Sequence, residues 1–273
     1  MNITKAVLIT HPKSYQHIAP YPRPNLEAFE APLRLQMAER YLGLHEKTKN
    51  LERVKATRAP QEDILRIHSP YLYETVKLMA SLGGGNLGES AQASPDVFRN
   101  ALISVGGAVC AAEYSLDKPH VHAFSLLRPP GHHATHSNPG GLCFFNNVAI
   151  AVAKVKQEKG IKRVTILDFD DHYGNGTAEI FYQDPSVQYI SIHEYDYDNY
   201  GLGHYEELGY GDAIGTNINI PLLDGASDTV YKAALERVVI PSIKAFEPKM
   251  IAISAGFDPH YADPVGNMNI DSS

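Results

Sequence analysis

Asp168, Asp170, Asp171 and His172 crowd together in LDFDDHYGNG (167–176), at the end of an apolar run. Carboxylates repel one another and lose hydration when packed, so a segment selected for folding alone would avoid this cluster. In an extended chain side chains alternate, so Asp168, Asp170 and His172 project to one side and Phe169, Asp171 and Tyr173 to the other. Asp-x-His on one face is a chelating pair for a divalent metal, with Asp168 behind it as an outer partner. Asp171, on the opposite face, is read as a bystander or cap. Gly174 and Gly176 then let the backbone turn towards a helix. The plainer alternative is a capped loop of solvated acids.

Two further stretches carry similar chemistry. In RPPGHHATHSNPGGLCFFNN (128–147) a Pro-Pro-Gly turn aims the pair His132–His133, and adjacent imidazoles can divide base and acid duties near neutral pH. His-His pairs are common in loops, so alone this one says little. Gly140 and Gly141 permit a close backbone approach to a slim ligand, or form a turn. His136 reads as a surface residue. In SAGFDPHYADP (254–264) Asp258 leaves a buried-type strand and is the natural third metal ligand. Asp170, His172 and Asp258 would leave coordination positions free for water and substrate, as a hydrolytic site requires. Asp263 reads as a turn residue and His260 as a rim residue.

Elements must bring these stretches together. Apolar, β-branched runs at 6–10, 121–127, 163–167, 187–192 and 249–255 predict strands, mostly of the continuous kind buried on both faces in parallel sheets. Helical patterns fall between them at 31–44, 69–82, 95–116, 146–160 and 231–246, where Pro241 should kink or end the last. This alternation predicts an open, mostly parallel α/β sheet. Each strand runs into polar residues: His11, RPPGHH, DFDDH, His193 and GFD. Ligands of such sheets bind beyond the strands' carboxyl ends, which predicts one shared cleft. GGGNLGES (83–90) is expected to be a flexible loop, and 11–32 to hold little regular structure.

Composition narrows the function classes. With 24 basic against 31 acidic residues the net charge is −7, which argues against a general nucleic-acid or membrane-surface binder. Cys110 and Cys143 have no metal-type spacing, and together with the lack of a secretory segment they point to a reducing cytoplasm. No apolar stretch approaches the roughly 20 residues of a membrane span.

RPPGHHA, GLCFFNNVAIA, LDFDDHYGNGT and SAGFDPHYADP, in this order, resemble the signatures of the histone deacetylase and acetylpolyamine amidohydrolase superfamily, in its class II-like branch. The likeness runs from APLR (31–34) to the Asp-Pro near the end. It implies an arginase/deacetylase fold: α/β, an open mostly parallel β-sheet flanked by helices in three α/β/α layers. It implies a single deacetylase-like catalytic domain over 1–273, without the family's C-terminal segment. One catalytic Zn²⁺ would be held by Asp170, His172 and Asp258, and the reaction would be hydrolysis of an acetylated amine. His133 matches the general base and acid, and His132 the histidine that tunes the metal water electrostatically. Asp168 matches the acid that orients His132, and Asn175 falls beside His133 where class I members carry a second Asp. Asp168, Asp170, His172, Ser191 and Ile192 match a structural K⁺ or Na⁺ site.

The chemistry agrees with this assignment. An amide has a poor electrophile and a poor leaving group. Zinc polarises the carbonyl and acidifies its water, and a histidine moves the protons. The ligand set would also accept Fe²⁺, Co²⁺ or Mn²⁺.

Two departures stand out. Leu142 occupies a position where the family has a Phe wall of the acyl-lysine channel, next to Gly141, with Tyr200 as the candidate opposite wall. The family's oxyanion Tyr would follow beyond Asp271-Ser272-Ser273, and loss of such a donor costs about 10²–10³ in rate. The leading expectation is therefore a cytoplasmic, zinc-dependent deacetylase acting on an acetylated small amine or acetyl-lysine peptide, with reduced activity. The alternatives are an acyl-binding pseudoenzyme and an arginase-like binuclear manganese hydrolase. No nucleic-acid or membrane partner is expected, and a homo-oligomer stays open.

Overall fold

The computed structural model describes residues 5–18, 30–118, 120–195, 197 and 201–271. The chain divides into two compact units, Met1–Glu158 and Lys159–Ser273.

The first unit runs β1 (Lys5–Thr10), α1 (Pro32–Leu44), β2 (Glu52–Lys55), α2 (Gln61–Ile64), α3 (Pro70–Ser81), β3 (Gly85–Asn86), β4 (Gln92–Ala93), α4 (Val97–Asp117), β5 (Val121–Ser125) and α5 (Asn147–Lys159). Pro32 and Pro70 open α1 and α3, where a missing N–H costs nothing. Ser69 caps α3 by accepting from the Leu72 N–H at 3.3 Å. The sheet has the order β2-β1-β5, all parallel. Ile9, Ala56 and Ile103 form a buried cluster that joins β1 to α4.

The second unit runs β6 (Val164–Asp168), α6 (Asn175–Phe181), β7 (Val187–Glu194), β8 (Asn217–Leu222), α7 (Asp228–Ala234), α8 (Ile240–Phe246) and β9 (Met250–Ser254). Its parallel sheet has the order β8-β7-β6-β9. Ile190 and Ile192 of β7 pack with Ala234 and Val239 to form its core. Asp168 is in register with both Ser191 of β7 and Ser254 of β9. The segments that follow β6 and β9 therefore leave the sheet side by side.

All five predicted strands and the parallel α/β class are present. β1, β6 and β7 carry the continuous burial expected of interior strands. β5 and β9 do not: each alternates half-buried and exposed residues, so that one face of each strand is more open than the other. ERVK and NINIPL, unremarked as sequence, become β2 and β8 by pairing with β1 and β7. The late helix starts at Asp228, passes through a wide π-type turn (Leu235–Val239), and resumes as α8 with Pro241 in its first turn. GGGNLGES is not a plain loop, since Gly85–Asn86 pairs antiparallel with Gln92–Ala93. Part of 11–32 lies outside the described residues; Pro12–Tyr15 forms a 3₁₀ turn capped by His11. Among the described residues, no helix is long and apolar enough to cross a membrane.

Candidate metal centre

Three side chains of the second unit converge. His172 Nδ1 lies 2.8 Å from Asp258 Oδ2 and 3.2 Å from Asp170 Oδ1. One ligand atom from each of the three residues falls within 4.8 Å of the others. Backbone amides set the carboxylates: the His172 N–H donates to Asp170 Oδ1 at 3.0 Å, and the Asp171 N–H to Asp258 Oδ1 at 3.0 Å. Gly256, just after β9, makes room, because a Cβ there would meet Asp170 Oδ2 at 2.2 Å.

The electrostatics of the trio favour a cation. Hydrogen bonds to Asp170 and then Asp258 push the His172 pKa up to about 11, against the pull of burial. Burial pushes the Asp258 carboxyl up as well, with Asp170 adding repulsion. Two carboxylates and one imidazole, facing one another and half-buried, fit a divalent metal by donor chemistry and by spacing.

Asp168 is fully buried behind this group. One of its oxygens accepts from the Asp170 N–H at 3.2 Å, and the other from the Tyr189 hydroxyl at 3.2 Å. Ser191 and Ile192 are buried in β7, and the Ser191 hydroxyl contacts His193 Nδ1 at 2.9 Å. His193 is wholly buried, and its Nε2 meets the Gly203 carbonyl at 2.9 Å, so it serves the loop that follows. Asn175 begins α6.

Asp171 requires a correction. Of its two readings, bystander or cap, the first fails, because it is only 1% exposed. Its carboxylate accepts from the Asn267 and Met268 N–H groups at 2.9 and 3.2 Å, and burial pushes its pKa up to about 6. It anchors the segment after Asp258. As expected, Asp263 closes a turn, accepting from the Val265 N–H at 2.9 Å.

The first unit holds the histidine pair. The His132 and His133 rings lie 4.0 Å apart, inclined at 49°, with His132 buried. The turn before them is pinned by Ser104 and Asn147, which donate to the Pro129 carbonyl at 2.8 and 3.1 Å. Arg128 is buried against Glu30, and it also donates to the carbonyls of Glu30 and His17 at 2.6 and 2.9 Å. After the pair, buried His68 bridges the Thr135 carbonyl (2.9 Å) and the Asn146 N–H (2.8 Å). His136 is exposed, as expected. Gly141 packs on His133: at φ +48°, a Cβ there would meet the ring at 2.0 Å. Leu142 follows at φ +70°, a conformation that a branched side chain rarely adopts. Tyr200 lies outside the described residues.

Sequence reasoning missed Tyr189, Arg128 and Gly256. A tyrosine in an otherwise apolar strand signals a buried hydroxyl that needs a partner, and an arginine between a strand and Pro-Pro signals an anchored turn. Nothing local marks Gly256, whose need arises only from Asp170.

A model of the histone deacetylase domain matches residues 28–273. A histone deacetylase-like amidohydrolase of Pseudomonas aeruginosa is 37% identical over 225 residues, covering 82% of this chain and 59% of that protein. A probable deacetylase of Methanothermobacter thermautotrophicus is 41% identical over 211 residues, covering 77% of this chain and 63% of its own length. The chain thus spans about three-fifths of the length of each of these two relatives. A crystal structure of the HDA15 HD domain superposes with a TM-score of 0.92 at 30% identity, covering 98% of this chain and 76% of that one.

Proposed function

The chain belongs to the histone deacetylase domain family, and on that premise we propose that it is a metal-dependent amidohydrolase removing acetyl groups from acetylated amines. The observation that carries the proposal is the convergence of Asp170, His172 and Asp258, two carboxylates and an imidazole from separate strand ends. These three would hold one divalent ion, zinc by family likeness. When bound, such an ion polarises an acyl carbonyl and acidifies water.

The remaining roles belong to the protein. To ligate, its carboxylates would be ionised and His172 neutral at Nδ1, so binding of the ion would be accompanied by release of a proton. His132 and His133 move the protons: one imidazole accepts a proton from water, and one donates to the nitrogen of the leaving amine. Gly141 fixes the face of His133, which limits the directions in which that imidazole can work. Asp168 and Asn175 keep the orienting roles that the family likeness gives them, and Tyr189 holds Asp168 from behind. A monovalent ion at Asp168, Asp170, His172, Ser191 and Ile192, one catalytic domain over both units, and a cytoplasmic setting belong to the same proposal. Gly141, Leu142 and Tyr200 are proposed to contact substrate, an acetylated small amine or an acetyl-lysine peptide.

The test is a panel of acylated amines assayed on the metal-loaded protein, after chelation, and after zinc is restored. Turnover that disappears with the chelator and returns with about one ion per chain supports the proposal. Absence of turnover with the ion in place, or two ions per chain, would overturn it.

A further inference from the structure

The peptide unit between Phe169 and Asp170 leads from the acid Asp168 to the ligand Asp170, and side chains hold both of its polar atoms. The Asp170 N–H donates to Asp168 Oδ1 at 3.2 Å. The Phe169 carbonyl accepts from the Tyr231 hydroxyl at 3.4 Å, across 62 residues of sequence. That bond is long, so it restrains the peptide more than it clamps it. The preceding amide is tied as well, since the Phe169 N–H donates to the Ser254 carbonyl at 3.3 Å. Each peptide is planar, so the two planes flanking a Cα set the direction in which its side chain leaves. Whatever orients the 169–170 plane therefore helps to aim the Asp170 carboxylate.

Tyr231 is itself well placed to do this. Its ring packs on the cluster of Ile190, Ile192, Ala234 and Val239, and its N–H donates to the Ser227 carbonyl at 3.0 Å. The start of α7 is tied to the segment after Asp258. There the Gly225 N–H donates to the Asn267 carbonyl at 2.9 Å, and the Asn269 N–H to the Ala226 carbonyl at 3.0 Å. Asp171 anchors the same segment by accepting from the Asn267 N–H at 2.9 Å. A closed ring of contacts thus runs from 169–171 to 267–269, on to the start of α7, and back through Tyr231 to Phe169. All of it lies within the second unit. Burial, and then the charges of Asp168, Asp170, Asp258 and Asp171, push the Tyr231 pKa above its ordinary value. The hydroxyl keeps its proton and stays a donor.

We propose that Tyr231 is a positioning residue for the candidate metal centre, its hydroxyl orienting the 169–170 peptide and with it the Asp170 carboxylate. This inference rests on the reading of Asp170 as a metal ligand. The hydroxyl acts through the backbone and takes no part in moving protons during hydrolysis. Removing it leaves the ring, and so the packing of α7, in place.

The experiment uses Tyr231→Phe in the full chain, with Co²⁺ as the probe. Affinity for Co²⁺ should fall on the order of three- to tenfold, at or below the low end of what losing an outer partner of a ligand costs. The visible absorption of the bound ion should change shape. Val230→Ala, at an exposed position of the same helix, should alter neither. Combined with Asp168→Asn, Tyr231→Phe should add less than its own full effect, because the two side chains hold one peptide. Amide hydrogen exchange supplies a readout without metal: Tyr231→Phe should speed exchange of the Asp170 N–H severalfold. Unchanged Co²⁺ affinity and absorption, or fully additive losses in the double variant, would overturn the inference while the ligand reading stands. If the wild-type chain binds no Co²⁺, the ligand reading fails instead. Exchange of the Asp170 N–H then decides the role of the hydroxyl by itself, and an unchanged rate would overturn it.

Discussion

His172 Nδ1 lies 2.8 Å from Asp258 Oδ2, across 86 residues of sequence. The pair exists because β6 and β9 are neighbours whose ends are level, with Asp168 opposite Ser254. Removing either side should therefore dissolve the site. His172→Ala or Asp258→Asn is expected to reduce bound metal to well below one ion per chain by elemental analysis. Retention of a full ion in Asp258→Asn would sink the ligand assignment.

Gly256 offers a test that leaves all three ligands in place. Its Cβ would overlap Asp170 Oδ2, so Gly256→Ala must displace the carboxylate. Metal affinity should fall by about 10–100-fold, the range seen when outer partners of a ligand are lost. Titration with Co²⁺, read by its visible absorption, would follow this directly. Unchanged affinity would mean that Asp170 is not a ligand.

Asp171→Ala addresses the anchoring role. The substitution strips the buried Met268 N–H and the part-buried Asn267 N–H of their acceptor. A buried unsatisfied donor costs about 1–3 kcal/mol, so a loss of roughly 1–3 kcal/mol is expected, most of it from the Met268 N–H. Chemical denaturation measures it, and a change below ~0.5 kcal/mol would refute the role.

Acid should weaken the fold before the carboxylates titrate. Burial lowers the pKa of His17, His68 and His193 to about 3, 4 and 4. Their unfolded value is near 6.5. Between about pH 6.5 and 4 the unfolded chain binds protons that the folded chain refuses, so stability falls as pH falls. Each histidine contributes up to roughly 1.4 kcal/mol per pH unit in that window. Asp171, raised to about 6, and Asp258, also pushed up by burial, act in the opposite sense, but they are two groups against three. His172, raised to about 11, contributes its pH dependence above 6.5 and none in this window. Denaturation midpoints of the chelated protein should therefore drop from pH 7 to pH 5, and His68→Gln should show a shallower slope. A midpoint that rises on acidification would contradict the assignment.

Much of this was legible in the sequence. The strand runs ending in DFDDH and GFD mark Asp170, His172 and Asp258, because few folding reasons exist to collect acids at strand ends. The alternation of apolar runs with helical patterns gives the parallel α/β class. ERVK and NINIPL were not legible, since a short or polar strand is defined by its partner's hydrogen bonds more than by its own pattern.

What the sequence by itself determined is local: which residues have metal chemistry, where the chain must turn, and which segments seek burial. Only the tertiary structure decided which of these meet. It brought Asp258 to His172 through strand order, made Asp171, read as a bystander or cap, a buried anchor, and made glycine obligatory at 256 and 141 by crowding Asp170 and His133 against them. The physical reason is that residue type and period act over a few positions, whereas contact between distant segments is set by sheet order and close packing.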